Sequence, residues 1–277
     1  QHILVPVLLD AVEVPRLPLV IPVPRLERVR LLELRHRRVL VALLVQPQPQ
    51  AEVRERAHVF PRLLSHALEA GHPAHQTGPD AVTLERAVPV HSLPGFDEGH
   101  VSVQDAGAQW AAHLLDAQPG ERVLDACAAP GGKTGHILER AEVVLTALDV
   151  DAARLARVQE NLDRLHLHVA LIEGDAARPE AWWDGKPYDR ILADVPCSAS
   201  GVVRRNPDIK WLRRPDDIAQ FSAQQAVMLE SLWRLLAPGG TLLYATCSIF
   251  QEENDGQVGA FLARHAQDAE RCPLPES

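Results

Sequence analysis

The chain has 277 residues, of which 46% are hydrophobic, and a formal net charge of −9 at pH 7. This length allows one large domain, or a domain and a smaller one, and the apolar share is enough for a sizeable core. No apolar run reaches the roughly 20 residues of a membrane-spanning helix. Residues 1–15 lack the basic start and small-residue cleavage site of a signal peptide. The acidic balance alone argues mildly against a nucleic-acid partner.

The cysteine content favours free thiols. Cys127, Cys197, Cys247 and Cys272 are widely and irregularly spaced. No C-x-x-C pair occurs, so neither a structural zinc site nor a disulfide framework is predicted. We therefore expect a monomer in a reducing, cytoplasmic compartment, with no metal site and no membrane partner.

Two segments precede the regular part of the chain. Residues 1–52 are rich in proline, and the stretch RLERVRLLELRHRRVLVALLV (25–45) could be a basic helix or a pair of strands. No structure is assigned to this segment. Residues 53–100 are assigned to a small region before the main domain. It begins with a predicted helix at 53–75, ended by glycine and proline, and continues as short strands and turns.

The main domain is predicted over residues 101–268, followed by a tail at 269–277. Its first helix is placed at about 103–116, with Ser102 as the N-cap. Apolar runs then alternate with amphipathic ones. The predicted strands are 122–127, 143–150, 168–175, 188–197 and 241–247, and the predicted helices are 134–140, 152–165, 218–236 and 253–265. This alternation predicts an α/β fold with a doubly wound, mostly parallel, Rossmann-like sheet.

The loop DACAAPGGKTGH follows the first strand of this alternation and opens a helix. It is not a Walker loop, because the glycine required before Lys133 is replaced by Cys127, and it is not G-x-G-x-x-G. Its position is still that of a nucleotide site, at the carboxyl end of a sheet. Gly131 and Gly132 would let the backbone approach a ligand closely.

Acidic residues end the next three predicted strands, at Asp149, Asp175 and Asp194. An acid about 20 residues after the loop is placed to bind ribose hydroxyls. A row of acids would repel a phosphate chain, so a nucleoside without phosphates, such as S-adenosylmethionine, is favoured. The alternative interpretation is that these acids cap strand-to-helix turns.

Cys-Ser occurs twice just after a buried strand, in ADVPCSASG at Cys197 and in YATCSIF at Cys247. Both thiols can project toward one crevice. They could be buried small residues or a disulfide pair. A thiol beside a methyl donor also fits a covalent reaction: a thiolate adds to carbon 6 of a pyrimidine, and carbon 5 then attacks the methyl group.

Three long motifs, LDACAAPGGKT, DVPCSASGVVRRNPDIKWLRR and GGTLLYATCSIFQEEN, together with LPGFDEGHVSVQD before them, resemble the RNA cytosine-5 methyltransferases. The similarity is to the bacterial 16S rRNA (cytosine-5) methyltransferase B family, also called Sun or Fmu, over about residues 55–265. The resemblance implies a Rossmann-like S-adenosylmethionine-dependent methyltransferase domain at 101–268. The 53–100 region would be a small RNA-recognition region, and 16S rRNA the partner.

The resemblance also implies residue roles. Cys247 would be the nucleophile, Cys197 would help to release the product, and Asp194 would share in catalysis. The cofactor-binding set would be Cys127, Ala128, Ala129, Pro130, Gly131, Gly132, Lys133, Asp149, Asp175 and Asp194. The chain departs from the family at both ends: residues 1–50 do not resemble its N-terminal helical RNA-binding domain, and the C-terminal end is expected to be truncated.

A basic loop follows Cys197 directly and predicts RNA contacts. Its candidate residues are Arg204, Arg205, Lys210, Trp211, Arg213 and Arg214. The cations suit phosphates and the tryptophan suits base stacking, whereas the alternative is a solvated charged surface.

Three alternatives to a ribosomal substrate and activity stay open at this point. The same motifs fit a tRNA cytosine-5 methyltransferase. The ends of the chain raise the hypothesis of a truncated, inactive RNA-binding protein. A nucleoside-dependent oxidoreductase is disfavoured by the absence of G-x-G-x-x-G.

Overall fold

The computed structural model describes residues 37–43, 52–55, 73–78 and 81–272, which form two sheets and the helices packed on them. The seven-stranded sheet contains β1 (Arg37–Leu43), β6 (Arg122–Asp125), β7 (Val144–Asp149), β8 (Ala170–Glu173), β9 (Tyr188–Asp194), β10 (Leu236–Thr246) and β11 (Ala269–Arg271). Its order is β11-β1-β10-β9-β6-β7-β8, and every neighbouring pair is parallel. The predicted doubly wound parallel sheet is confirmed.

Helices cover both faces of this sheet. They are α1 (Ala106–Leu115), α2 (Gly132–Arg140), α3 (Ala152–Arg164), α4 (Ile209–Leu212), α5 (Asp217–Leu235) and α6 (Asp255–Arg264). Successive strand residues face opposite layers, so Leu124 packs with α5 and α6 whereas Val123 packs with α1, α2 and α3. On α3, Leu155, Val158 and Leu162 are buried. Asp151, at the N-cap of this helix, accepts from the backbone N of Ala153 at 2.8 Å.

The smaller sheet is antiparallel, with the order β3-β4-β2-β5. Its strands are β2 (Glu52–Glu55), β3 (Ala74–Gly78), β4 (Ala81–Leu84) and β5 (Val101–Val103). Leu84, Leu93 and Val101 are among the buried residues of its own small cluster. It therefore lies in the predicted pre-domain region and shares only its last strand with the predicted main domain.

Three boundary predictions need correction. The helix predicted from residue 53 and ended by Gly71 and Pro73 is wrong at its start, because 52–55 pair as a strand with β4 and β5; residues 56–72 lie outside the described part of the chain. The helix placed at about 103–116 with Ser102 as cap begins at Ala106, with Asp105 at the N-cap position, since Val101–Val103 are used in β5. The candidate helix or strand pair at 25–45 contains β1, and the rest of it lies outside the described residues.

Arg164, at the end of α3, joins the helix to the pre-domain region. Its guanidinium donates to the carbonyls of Phe96 at 2.7 Å and Val101 at 2.9 Å, and it stacks over the Phe96 ring at 4.1 Å. Gly99 has φ +73°, and a Cβ there would lie 1.8 Å from the carbonyl oxygen of Arg164. The backbone of this junction is too close for any side chain at Gly99.

We expect Gly99→Ala to destabilise the fold more than Gly120→Ala. Gly120 has a similar φ of +83° but open space around its Cα, so its substitution adds only backbone strain, about 1 kcal/mol. The clash at Gly99 should add roughly 1–3 kcal/mol to that strain. Urea unfolding of the two variants measures the difference, and equal destabilisation would contradict the close contact.

Candidate active site

The Gly-rich loop joins β6 to α2 and is fixed from below by the neighbouring strands. The backbone N of Ala126 donates to Leu192, and that of Ala128 donates to Leu148, at 2.8 and 2.9 Å. The loop therefore lies at the carboxyl edge of the sheet, over β6, β7 and β9. This is the position expected for a nucleotide-type ligand.

Asp149, at the end of β7, is buried and lies directly against this loop. Its Oδ2 accepts from the backbone N of Ala129 at 3.1 Å, and its Oδ1 lies 3.2 Å from the guanidinium of Arg154. Arg154 also donates to the Ala129 carbonyl at 3.2 Å. Asp149 thus shapes the loop from the place where an acid is expected to bind a ribose.

Asp175 lies farther along the same edge and is more exposed. Its Oδ1 accepts from the backbone N of Ala177 at 2.8 Å, which is the capping contact of the alternative interpretation. Its side chain remains 43% exposed, so it can still contact a ligand.

Asp194, at the end of β9, links the loop to the thiols. Its Oδ2 accepts from the Nζ of Lys133 at 2.6 Å. Burial by itself lowers the pKa of Lys133, but the Asp194 carboxylate outweighs burial, and the pKa is raised. Lys133 is therefore a charged ammonium, close enough to Cys247 for the two to interact electrostatically.

The two candidate thiols meet. The Sγ atoms of Cys197 and Cys247 lie 3.4 Å apart, and neither thiol is in a disulfide. The hydrogen bond from Cys247 lowers the pKa of Cys197, and the same bond raises the pKa of Cys247. These directions place the proton on Cys247 and favour the thiolate on Cys197, so Cys247 would become a thiolate only by passing its proton to Cys197. Cys127 is different, since burial raises its pKa well above the usual value.

A buried carboxylate, not foreseen from the sequence, holds the two Cys-Ser loops together. Glu253 is 0% exposed and accepts from the backbone N of Ser198 at 2.8 Å and from the hydroxyls of Ser198 and Ser248 at 2.5 Å each. Gln225 donates to it at 3.2 Å. The backbones also touch: the N of Gly201 donates to the Cys247 carbonyl at 2.9 Å, where a Cβ on Gly201 would be at 2.7 Å.

The signal for this network was in the motifs. Each thiol is followed by a serine, and an acid stands shortly after the second Cys-Ser pair, in SIFQEEN. These motifs predicted roles for the two cysteines but none for the serines or for Glu253. Asn254 completes the network by donating to the carbonyls of Ser248 and Phe250 at 2.9 and 2.8 Å.

The predicted basic loop is exposed beside Cys197, but its residues differ in their contacts. Arg205 pairs with Asp105, and Arg213 donates to the Ser198 carbonyl at 2.8 Å, so both also organise the protein. Trp211 is 80% exposed, with Lys210 over its ring at 5.3 Å. The remaining two, Arg204 and Arg214, lie on the surface.

A membrane-spanning helix and a metal-ligand cluster are both absent from the residues that the structure describes. No helix in that part of the chain is both long and apolar enough to cross a membrane. No group of three or more histidine, cysteine, aspartate or glutamate side chains there is arranged to hold a metal ion.

The parallel sheet, the loop at its carboxyl edge and the acids beside that loop define a Rossmann-like S-adenosylmethionine-dependent methyltransferase. More narrowly, the chain belongs to the family described as "16S rRNA methyltransferase RsmB/F", whose pattern matches residues 112–276.

Individual relatives agree with this assignment. The ribosomal RNA small subunit methyltransferase B of Vibrio cholerae is 58% identical over 191 residues, which are 69% of this chain and 44% of the relative. The protein of the same name from Salmonella arizonae is 55% identical. The matched region covers 73% of this chain and 47% of the length of that relative. The chain thus spans less than half the length of these relatives.

A solved structure is also similar. The methyltransferase homolog protein from Pyrococcus horikoshii has 30% identity and a TM-score of 0.68, over 78% of this chain and 70% of its own.

The buried Asp125, at the end of β6, predicts a pH-dependent stability. Burial raises its pKa from 3.8 to about 6, although Thr134 donates to it at 2.7 Å. Between these values the folded chain keeps a proton that the unfolded chain loses, so stability falls as pH rises from about 4 to 6, by roughly 3 kcal/mol. Asp125→Asn removes this ionisation and can still accept from Thr134. We expect it to be more stable than the parent at pH 7.5, with a smaller advantage at pH 4.5.

Urea unfolding at these two pH values measures the effect. Asp116→Asn, at an exposed position, is the control and should show no such dependence. An Asp125→Asn chain that is no more stable than the parent at pH 7.5 would rule out the raised pKa.

Glu253→Gln tests the electrostatic effect of the buried carboxylate on the thiols. The Glu253 charge raises the pKa of Cys197, so its removal should lower that pKa. The amide is close to isosteric, and the two serine hydroxyls can accept from it in place of donating. We expect the midpoint of Cys197 alkylation by iodoacetamide, followed by peptide mass spectrometry, to move to lower pH. Glu252→Gln, at the exposed neighbouring position, should leave it in place; a move to higher pH in Glu253→Gln would refute this account.

Proposed function

We propose that this chain methylates carbon 5 of a cytosine in 16S rRNA, with S-adenosylmethionine as the methyl donor and through a covalent bond between Cys247 and carbon 6. The observation that supports this most directly is the 3.4 Å approach of two thiols beside the Lys133–Asp194 ion pair. Carbon 5 of cytosine is a weak nucleophile, so methyl transfer to it requires a thiolate at carbon 6. The family membership and the names of the relatives supply the RNA.

The shared proton gives each thiol a role. As the Cys247 sulfur bonds to carbon 6, its proton passes to Cys197, and the electron pair of the 5,6 double bond becomes available at carbon 5. The bound cofactor supplies the electrophilic methyl group. After a base removes the proton from carbon 5, the double bond re-forms, the sulfur–carbon bond breaks, and Cys197 returns a proton to the leaving Cys247.

The ion pair stabilises the charges of these steps. The hydrogen bond with Cys197 and burial raise the pKa of Cys247, and the Lys133 ammonium opposes that rise because it attracts the thiolate. Oδ1 of Asp194 makes no hydrogen bond to the described residues and would be available to accept from the 4-amino group of cytosine.

The cofactor would lie along the Gly-rich loop. We assign to it residues 127–133, with Asp149 and Asp175 toward the ribose and adenine side. The RNA would run over the exposed basic loop, where Trp211 offers a stacking surface and Arg204, Lys210 and Arg214 offer positive charge. Arg205 and Arg213 would serve mainly to shape that loop.

We expect Cys197→Ala to accumulate protein covalently bound to RNA. Without Cys197, the Cys247 proton would pass to solvent when the sulfur–carbon bond forms, but no acid would protonate the leaving sulfur, so the intermediate should persist. The measurement is a denaturing gel of the chain with S-adenosylmethionine and unmodified small-subunit rRNA. The double variant, Cys197→Ala with Cys247→Ala, is the matched control and should give no adduct.

The outcomes separate the rival functions. An adduct that survives in the double variant would refute Cys247 as the nucleophile. An adduct with tRNA and none with rRNA would favour the tRNA enzyme. A folded chain that forms no adduct and binds RNA but not the cofactor would favour the inactive RNA-binding protein.

A further inference from the structure

Gln104 is a buried amide without a partner. It lies between β5 and α1, its side chain is 8% exposed, and neither Oε1 nor Nε2 has a hydrogen-bond partner among the residues that the structure describes. A buried amide normally satisfies both its donor and its acceptor, because leaving them unpaired costs stability. A ligand that supplies both groups would remove this cost.

The amide faces the start of α2. Its Nε2 is 3.9 Å from the position that a Cβ on Gly132 would occupy, and Gly132 is the first residue of that helix. The first N–H groups of a helix have no partner within it and carry a partial positive charge, which favours an anion. Gln104 therefore lies beside the Gly-rich loop at Gly132.

We propose that Gln104 binds the amino-acid end of S-adenosylmethionine. The carboxylate would accept from Nε2 and from the N–H groups at the start of α2, and the ammonium would donate to Oε1. Because Nε2 of Gln104 approaches Gly132 of the Gly-rich loop, the cofactor is favoured over the target base. The proposal rests on the proposed function only in requiring that the cofactor binds this loop.

The adjacent residue gives the contact a second consequence. Asp105 pairs with Arg205 of the basic loop. Gln104 thus lies beside the Gly-rich loop, and its neighbour Asp105 contacts the basic loop. Ordering of Gln104 by the cofactor would also stabilise the basic loop.

The test compares two ligands by calorimetry with the full chain. S-adenosylhomocysteine carries the amino-acid end, whereas 5′-methylthioadenosine lacks it. We expect Gln104→Leu to bind S-adenosylhomocysteine about tenfold more weakly and 5′-methylthioadenosine with unchanged affinity. Gln109→Leu is the matched control, since Gln109, on α1, is buried to the same extent and donates to the Gln104 carbonyl at 3.4 Å. It should affect both ligands equally or neither.

Gln104→Glu is a second variant in case leucine disturbs the fold. It keeps the size of the side chain and places a carboxylate against the ligand carboxylate, so it should also discriminate against S-adenosylhomocysteine. Equal loss for both ligands would overturn the proposal, as would unchanged affinity with a raised KM for RNA, which would assign the amide to the base. Failure of the unmodified chain to bind either ligand would instead overturn the proposed function.

Discussion

The active-site geometry depends on one buried carboxylate. Glu253 accepts hydrogen bonds from both Cys-Ser loops, which follow different strands and are about 50 residues apart in the chain. Burial of an unpaired carboxylate is costly, and here the cost is offset by neutral donors and not by a cation. This choice matters, because a cation at the same place would stabilise a thiolate on either sulfur. The Glu253 carboxylate instead holds the two Cys-Ser loops together, and the two sulfur atoms lie within hydrogen-bond distance of each other.

The cation acts from the other side. Lys133 comes from the Gly-rich loop and donates to Asp194. This ion pair therefore joins the Gly-rich loop to the end of β9, just before the Cys-Ser loop of Cys197. Asp149 is similarly paired with Arg154 against the loop backbone. Asp149 and Asp194, which end two of the strands, thus shape the loop through contacts with its backbone and with Lys133.

The distribution of charge is compatible with the proposed RNA contact even though the chain is acidic overall. The net charge of −9 is an average over the sequence, whereas the loop after Cys197 places several cations and an exposed tryptophan on one side of the thiols. Phosphate binding responds to local potential more than to the total. Arg205 connects this surface to Asp105, and Arg213 connects it to the loop that carries Cys197. A movement of the basic loop would therefore also move the Cys197 loop.

The sequence by itself determined the sheet and the location of the site. Apolar runs of β-type followed by amphipathic helices require parallel strands with covered faces, and the carboxyl ends of parallel strands meet at one edge, so the Gly-rich loop, the acids and the two cysteines could be assigned to one crevice. Local pattern could not determine the start of the first helix, because 101–103 are strand only through pairing with β2. Nor could it show that Glu253 receives the serines, that Arg205 pairs with Asp105, or that Gln104 is left without a partner. These contacts join residues from distant parts of the chain, and only the tertiary structure brings them within hydrogen-bond distance.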